Sequence, residues 1–142
     1  MISNAYANKI LNVLCGLSDS LNLPSNLYLG LSSSEPNPST GLVAGEPTAD
    51  SYKRTIVGGG SSSVKKFGNA DAGKIENTSE IQFNTARQAW GTMKYFFLSE
   101  SATGNAILWG AINDGAGVNV AADTVPTFYE GELKISLDVP LT

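Results

Sequence analysis

Glu130 and Glu132 come closest to a catalytic pairing in this chain, one on either side of Gly131. On an extended strand they would share a face about 7 Å apart by strand rise. That falls within the roughly 5–9 Å that glycoside hydrolysis asks of its two carboxylates. Gly131 argues for a turn instead, with both carboxylates solvated. The other candidates offer less. The chain has no histidine and one cysteine, which removes Ser-His-Asp and Cys-His nucleophilic systems and any zinc site of two cysteines and two histidines or of four cysteines. Cys15 reads as a small side chain on a helix, with only Lys9 nearby in sequence to lower its pKa. Asp114-Gly115-Ala116-Gly117 puts alanine and glycine where a calcium loop needs ligands. Gly58-Gly59-Gly60 runs into serines and lacks the Gly-Lys-Ser/Thr of a phosphate loop. No metal and no cofactor are expected.

The aromatic residues Trp90, Tyr95, Phe96, Phe97 and Trp109 would suit a stacking platform for sugars or bases. Their alternation says otherwise. Tyr95 and Phe97 fall on one side of a strand, Phe96 and Leu98 on the other, and a strand apolar on both faces is central or covered by another subunit.

These side chains are positioned by a scaffold that reads as β. Trp90 to Leu98 and Asn105 to Ile112 are apolar runs separated by a short polar segment that closes on Gly104, the pattern of a hairpin. Leu133, Ile135 and Leu137 share one face of a last strand, Glu132 to Asp138, and are expected in the core. Leu27, Leu29 and Leu31 mark another strand. Further strands are expected at Ser51 to Val57, at the lysine-bearing edge Val64 to Asn69, around Ile81 and Phe83, at Gly117 to Val120 and at Thr124 to Tyr129. Asn69 to Lys74 and Asn113-Asp114-Gly115 are turns, and Gly58 to Ser63 is a flexible linker. Before all of these, Ile2, Tyr6, Ile10 and Leu14 recur at steps of four, widened by Val13 and Leu17. That is an amphipathic helix of about residues 3–15, capped by Ser3 or Asn4 and closed by Gly16. So short a helix is marginal alone, so its face is expected to dock on the chain's own sheet or on a neighbouring subunit. Glu35 to Asp50, with Pro36, Pro38 and Pro47, is a loop long enough to suggest a function.

One helix and seven or eight short strands predict a mainly β chain. The expected fold is a single-domain antiparallel β-sandwich, jelly-roll-like, spanning 1–142, with the sandwich at about 26–139. A chain of 142 residues buries about two-thirds of its unfolded surface, enough for one core. Hydrophobic residues make up 42%, with no run near the length of a membrane span. Lys9 interrupts the first apolar stretch and argues against a signal peptide, so the mature chain is expected to begin near Met1. Thirteen acidic residues against nine basic give a net charge of −4. Such a chain repels phosphate backbones, and Lys65-Lys66 is too small a patch to reverse that. Neither nucleic acid nor membrane is expected as a partner. Charged residues are only 15%, below the roughly 25% of ordinary soluble domains, which suits a surface packed inside an assembly. On its residues the chain is structural and non-enzymatic.

Several ordered motifs also carry a resemblance. Asn4-Ala5-Tyr6-Ala7-Asn8-Lys9-Ile10-Leu11 opens the helix, and Asn26-Leu27-Tyr28-Leu29-Gly30-Leu31-Ser32 follows a proline. Glu46-Pro47 precedes Tyr52-Lys53-Arg54. Then come Trp90-Gly91-Thr92, Ser101-Ala102-Thr103-Gly104, Leu108-Trp109-Gly110-Ala111 and the closing Gly-x-Leu-x-Ile-x-Leu-Asp. Together they resemble the small tailed-bacteriophage virion proteins usually labelled "phage tail fibre protein". The resemblance implies a structural protein on the particle surface, tail-associated, located in the virion and assembled in the host bacterial cytoplasm. It implies a homo-oligomer, trimer or higher, that meets other virion proteins and a host surface glycan. Tyr6, Ile10 and Leu14 of the helix, with Glu35, Pro36, Pro38, Glu46 and Pro47 of the long loop, are the candidate contacts. Two other readings stand beside it: a capsid decoration protein (head fibre or cement), and a polysaccharide-binding or depolymerising module.

Overall fold

The computed structural model describes residues 1–137. The chain runs α1 (Asn4–Leu14), β1 (Leu27–Ser32), β2 (Thr55–Gly58), β3 (Lys74–Glu76), β4 (Ile81–Gln82), β5 (Gly91–Met93), β6 (Tyr95–Ser99), β7 (Ala106–Ala111), β8 (Val118–Val120), β9 (Thr127–Phe128) and β10 (Lys134–Ser136). One antiparallel sheet in the order β2-β1-β6-β7 forms the first layer. The second is three separate antiparallel ribbons, β3 with β10, β4 with β9 and β5 with β8. The result is a mainly β chain with one N-terminal helix, as the sequence predicts.

Period-2 patterning sorts the sheet's side chains cleanly. Leu29 lies opposite Leu98 and Leu98 opposite Leu108, while Leu31 lies opposite Phe96. This face is covered by the ribbons, and the main core joins Leu29, Leu31, Phe96 and Leu98 to Ile81, Phe83, Trp90, Met93, Val120 and Leu133. On the other face Phe97 lies between Gly30 and Trp109. There Phe97, Ala106 and Trp109 form a second, smaller cluster under Val43 of the long loop. Gly30 is required at that spot, because a Cβ would collide with the Phe97 ring. The two-sided burial read from Tyr95 to Leu98 thus places β6 inside the sheet, between β1 and β7.

The helix forms where its caps allow. Ser3 is extended and its hydroxyl accepts the Tyr6 amide at 3.3 Å. At the other end Gly16 takes φ +78°. Its amide donates to the Val13 carbonyl, and the Leu17 amide donates to Asn12. That is the paired closure of a Schellman motif. Before the helix, Ile2 bridges Leu108, Ser3 donates to Ile107, and Trp109 donates to Met1. Residues 1–3 therefore line the outer edge of β7.

Some expectations need correction. The run from Trp90 to Leu98 is two strands: β5 pairs in the second layer and β6 in the first. Exposed Lys94 marks the corner where the chain changes sheet. Ser51 to Arg54 precede β2 rather than joining it, since Arg54 and Tyr52 are engaged elsewhere. Val64 to Asn69 makes only a single bridge, Phe67 with Asn77. The Gly-Ser linker is tied down, with Gly60 donating to Pro24 and Ser61 to Ser25. In the last strand Leu133 is buried and Ile135 half-buried, but Leu137 is 63% exposed. β10 pairs with β3 alone, so its far end runs past the core. Asp138 and Val139, expected at the end of the sandwich, lie outside the described residues.

Candidate functional site

The long loop turns most of its candidates inward. Trp109 Nε1 donates to Glu35 Oε1 at 3.2 Å, and Pro36 is fully buried. Asn37 Oδ1 accepts the amides of Ser39 and Thr40. The Ala106 amide donates to the Gly41 carbonyl at 2.7 Å, which lays the loop over Phe97 and Trp109. Pro38 stays exposed, and its carbonyl accepts the Asn4 amide at 2.9 Å. Tyr6's end of the helix and Pro38 are thus brought together. Pro47 lies apart, half-buried beside Trp90, Gln88 and Asp50. Pro36 and Glu46 are spent inside the chain and offer little to a neighbour.

Glu46 belongs to a clasp around Arg54. Arg54 Nε meets Glu46 Oε1 at 2.7 Å and Nη2 meets Oε2 at 2.9 Å, the fork geometry of a strong charge-assisted pair. Nη1 donates to Ser99 Oγ and to the carbonyls of Ser101 and Gly104. The guanidinium lies 4.7 Å over the Phe97 ring, and the side chain is 2% exposed. Tyr52 completes the arrangement: its hydroxyl donates to Glu46 at 2.8 Å and accepts the Leu31 amide at 3.1 Å. Burial pushes the Tyr52 hydroxyl well above its ordinary pKa, and the Glu46 carboxylate adds to that. One cation therefore ties the long loop, β2, and the β6–β7 turn to one another. Residue types alone do not single out Arg54 or Ser99, because the partners lie 8, 45, 47 and 50 residues away. The available signal was the motif Glu46-Pro47 … Tyr52-Lys53-Arg54.

The helix is the opposite case, since none of its residues is buried. Tyr6, Ile10 and Val13 are half-covered, while Leu11 is 54%, Leu14 77% and Leu17 79% exposed. Lys9 Nζ sits 5.6 Å over the Tyr6 ring. Partial burial, with Glu100 nearby, raises the Tyr6 hydroxyl above its usual range. The docking expected on the chain's own sheet is confined to the half-covered side.

The chemical candidates are not assembled into a reaction centre. Glu130 and Glu132 flank Gly131 at φ +78° in a turn, and Glu132 Oε2 accepts the Tyr129 amide at 2.9 Å. A cleft of about 650 Å³ opens between β8, β9 and β10 over Leu31 and Phe96. Glu132 is the one carboxylate among the residues that line it, so the pair needed for glycoside hydrolysis is not assembled there. Asn113 and Asp114 take positive φ in a tight turn before β8. Cys15 is exposed at the helix end. Among the described residues no group of three metal-ligating side chains converges, and no helix is long and apolar enough to cross a membrane.

A search of curated proteins gives no match to the chain. A family model described as "Podophage GP4 fiber I protein gp80" matches residues 1–136, from the residues before α1 through the end of β10. That span covers nearly the whole chain, including both ordered layers, the clasp and the exposed helix. The chain belongs to the podophage GP4 fiber I protein (gp80) family, a family of bacteriophage fibre proteins.

Proposed function

We propose that the chain is a non-enzymatic structural subunit of a podophage fibre, tail-associated and homo-oligomeric, trimer or higher, which acts through contacts with its own copies and with other virion proteins. The observation that carries this reading is α1, an amphipathic helix in which no residue is buried. Exposed leucines in that number are an aggregation hazard on a free monomer and an asset in an assembly. The low charge content supports the same reading. Tyr6, Ile10 and Leu14 form the contact on the helix, with exposed Pro38 beside its first turn and Pro47 as a second point of contact. Glu35 steadies Trp109 and contributes from the loop's outer side.

The clasp supports a mechanical role. A buried fork that joins three segments stiffens the loop which borders the helix, so a load applied at the helix base reaches the central sheet through covalent chain and hydrogen bonds. Reconstruction of the intact particle tests the placement. Density for this fold on the tail is the expected result. Density on the capsid lattice would replace the tail-associated reading with capsid decoration.

A further inference from the structure

We infer that the stretch following β10, Asp138-Val139-Pro140-Leu141-Thr142, enters the cleft between β8, β9 and β10 of a second copy as an added strand. This names a contact for the homo-oligomer proposed above and rests on that reading. The sequence carries the first half of the argument. Leu133, Ile135, Leu137, Val139 and Leu141 alternate without a break, the pattern of a strand with one apolar face. Leu133 is buried and Ile135 half-buried, but Leu137 is exposed. The apolar stripe therefore runs on beyond the core of its own subunit, and its outer part needs a surface from elsewhere.

The cleft carries the second half. Ile112, Val118 and Phe128 give it apolar walls over Leu31 and Phe96, and Val118 is 47% exposed there. Two of its rims are open strand edges. Asn77 donates to Leu133 and Leu137 donates to Gly73, while Ile135 lies opposite Ile75. In that antiparallel register Lys134 turns its backbone N–H and C=O away from β3. Phe83 donates to Pro126 and Phe128 lies opposite Ile81, so Thr127 does the same on β9. Both Lys134 and Thr127 line the cleft. Open backbone groups beside an apolar floor are what an added strand uses, main-chain bonds for affinity and pockets for alternate side chains. Val139 and Leu141 supply those side chains. Pro140 has no N–H, but its backbone points to the opposite edge from theirs and leaves their pairing intact. Charge agrees. Lys134 is the one cation among the described residues lining the cleft, and Glu132, the one carboxylate, already accepts the Tyr129 amide. Asp138 therefore meets a free positive partner at the rim.

Direction assigns the strand to a second copy. β10 borders the cleft at Lys134 and then leaves it, so that the Leu137 amide is fixed to Gly73. By strand rise that is about 10 Å farther on. To return to their own cleft, residues 138–142 would spend about two on the reversal and the rest on the way back, with none left to fill it. A strand given to the next copy needs no reversal. Such a head-to-tail contact uses a different surface on each side and closes into a ring where the rotation permits, in keeping with a trimer or higher.

Two complementary variants of the full chain test the exchange by sedimentation velocity over a wide range of concentration. Leu141→Asp spoils the strand and keeps the cleft, while Val118→Arg blocks the cleft and keeps the strand. The parent is expected to gain mass as concentration rises, and each variant alone to stay monomeric with a thermal midpoint within a degree or two of the parent. An equimolar mixture of the two is expected to form a dimer and nothing larger, because one sound strand meets one sound cleft. Leu42→Asp, at an exposed site of the long loop on the sheet's other face, keeps the parent's association. A parent that stays monomeric, a single variant that still associates, or a mixture that does not pair overturns the inference. So does a monomeric parent that loses thermal stability in Leu141→Asp, which would put the strand in its own cleft. A chain that is monomeric yet enters particles overturns the exchange and leaves the fibre reading intact. A chain that passes the mixing test but is absent from particles does the reverse.

Discussion

At the scale of single residues the molecule depends on a few buried polar and close-packed positions. Arg54 is the chief one. Replacing it with Ala removes five hydrogen bonds and takes that partner from Glu46, Ser99 and the Ser101 and Gly104 carbonyls. Breaking a buried pair costs about 3–5 kcal/mol, and the quarter of Glu46 still exposed to water places the expected loss near the bottom of that range. Arg54→Lys restores less than half of it, since one ammonium cannot reproduce the fork. Denaturant midpoints measure both, and a loss below about 1 kcal/mol for Arg54→Ala would reduce the clasp to decoration. Gly30→Ala forces a methyl group into the Phe97 ring and is expected to cost about 1–3 kcal/mol by overpacking. Tyr52 makes stability depend on alkaline pH. Its hydroxyl titrates at 10.0 when unperturbed and higher in the folded chain, so above that value the unfolded chain sheds a proton the folded one keeps. Stability is thus fully present below about pH 10 and falls as pH rises beyond it. The melting temperature is expected to drop there, and Tyr52→Phe to weaken the drop. An unchanged slope in Tyr52→Phe would show that other groups cause it.

At the scale of elements, much of the architecture was legible. The hairpin β6–β7 and the strand β1 announce themselves by alternation that the sheet honours residue by residue, from Leu29–Leu98–Leu108 to Gly30–Phe97–Trp109. The helix was legible to within a residue at each end, because Ser3 and Gly16 carry cap chemistry. The misses share a cause. Alternation reports which side chains share a face, but not where that face ends up. Leu137 continues the pattern of Leu133 and Ile135, yet β10 has only β3 beside it and leaves the core. Lys94 breaks an otherwise continuous apolar run because the strand crosses between layers. The clasp was only partly readable, through Glu46-Pro47 … Tyr52-Lys53-Arg54, because its bonds to Ser99, Ser101 and Gly104 lie 45, 47 and 50 residues away and no local period encodes them. Leu133→Ala is accordingly expected to cost about 2–5 kcal/mol and Ile135→Ala clearly less, with Leu137→Ala near zero. Equal losses at all three would restore the expected register of a core strand. The helix yields a contrast of its own. Leu11→Ser and Leu14→Ser should change monomer stability by less than about 0.5 kcal/mol, whereas removing residues 1–3 strips the β7 edge of its pairing and should destabilise measurably. A large loss from Leu14→Ser in the monomer would mean that the helix face is already covered.

At the scale of the whole molecule, the chain divides its apolar surface between two tasks. The ribbons and the long loop cover both faces of the central sheet, apart from the cleft over Leu31 and Phe96. The helix is the part left open, fixed at its start and unburied along its length. The proposed function gives that opening a use, as the surface a fibre subunit presents to its particle while its body holds its shape, in a chain of a podophage fibre family. The composition of purified particles tests this most directly. Quantitative mass spectrometry of gradient-purified virions is predicted to find the chain at a fixed multiple of the other structural proteins, and to find it depleted when Leu11 and Leu14 are both changed to glutamate. Virions without the chain, with the protein left soluble in the lysate, would contradict the account.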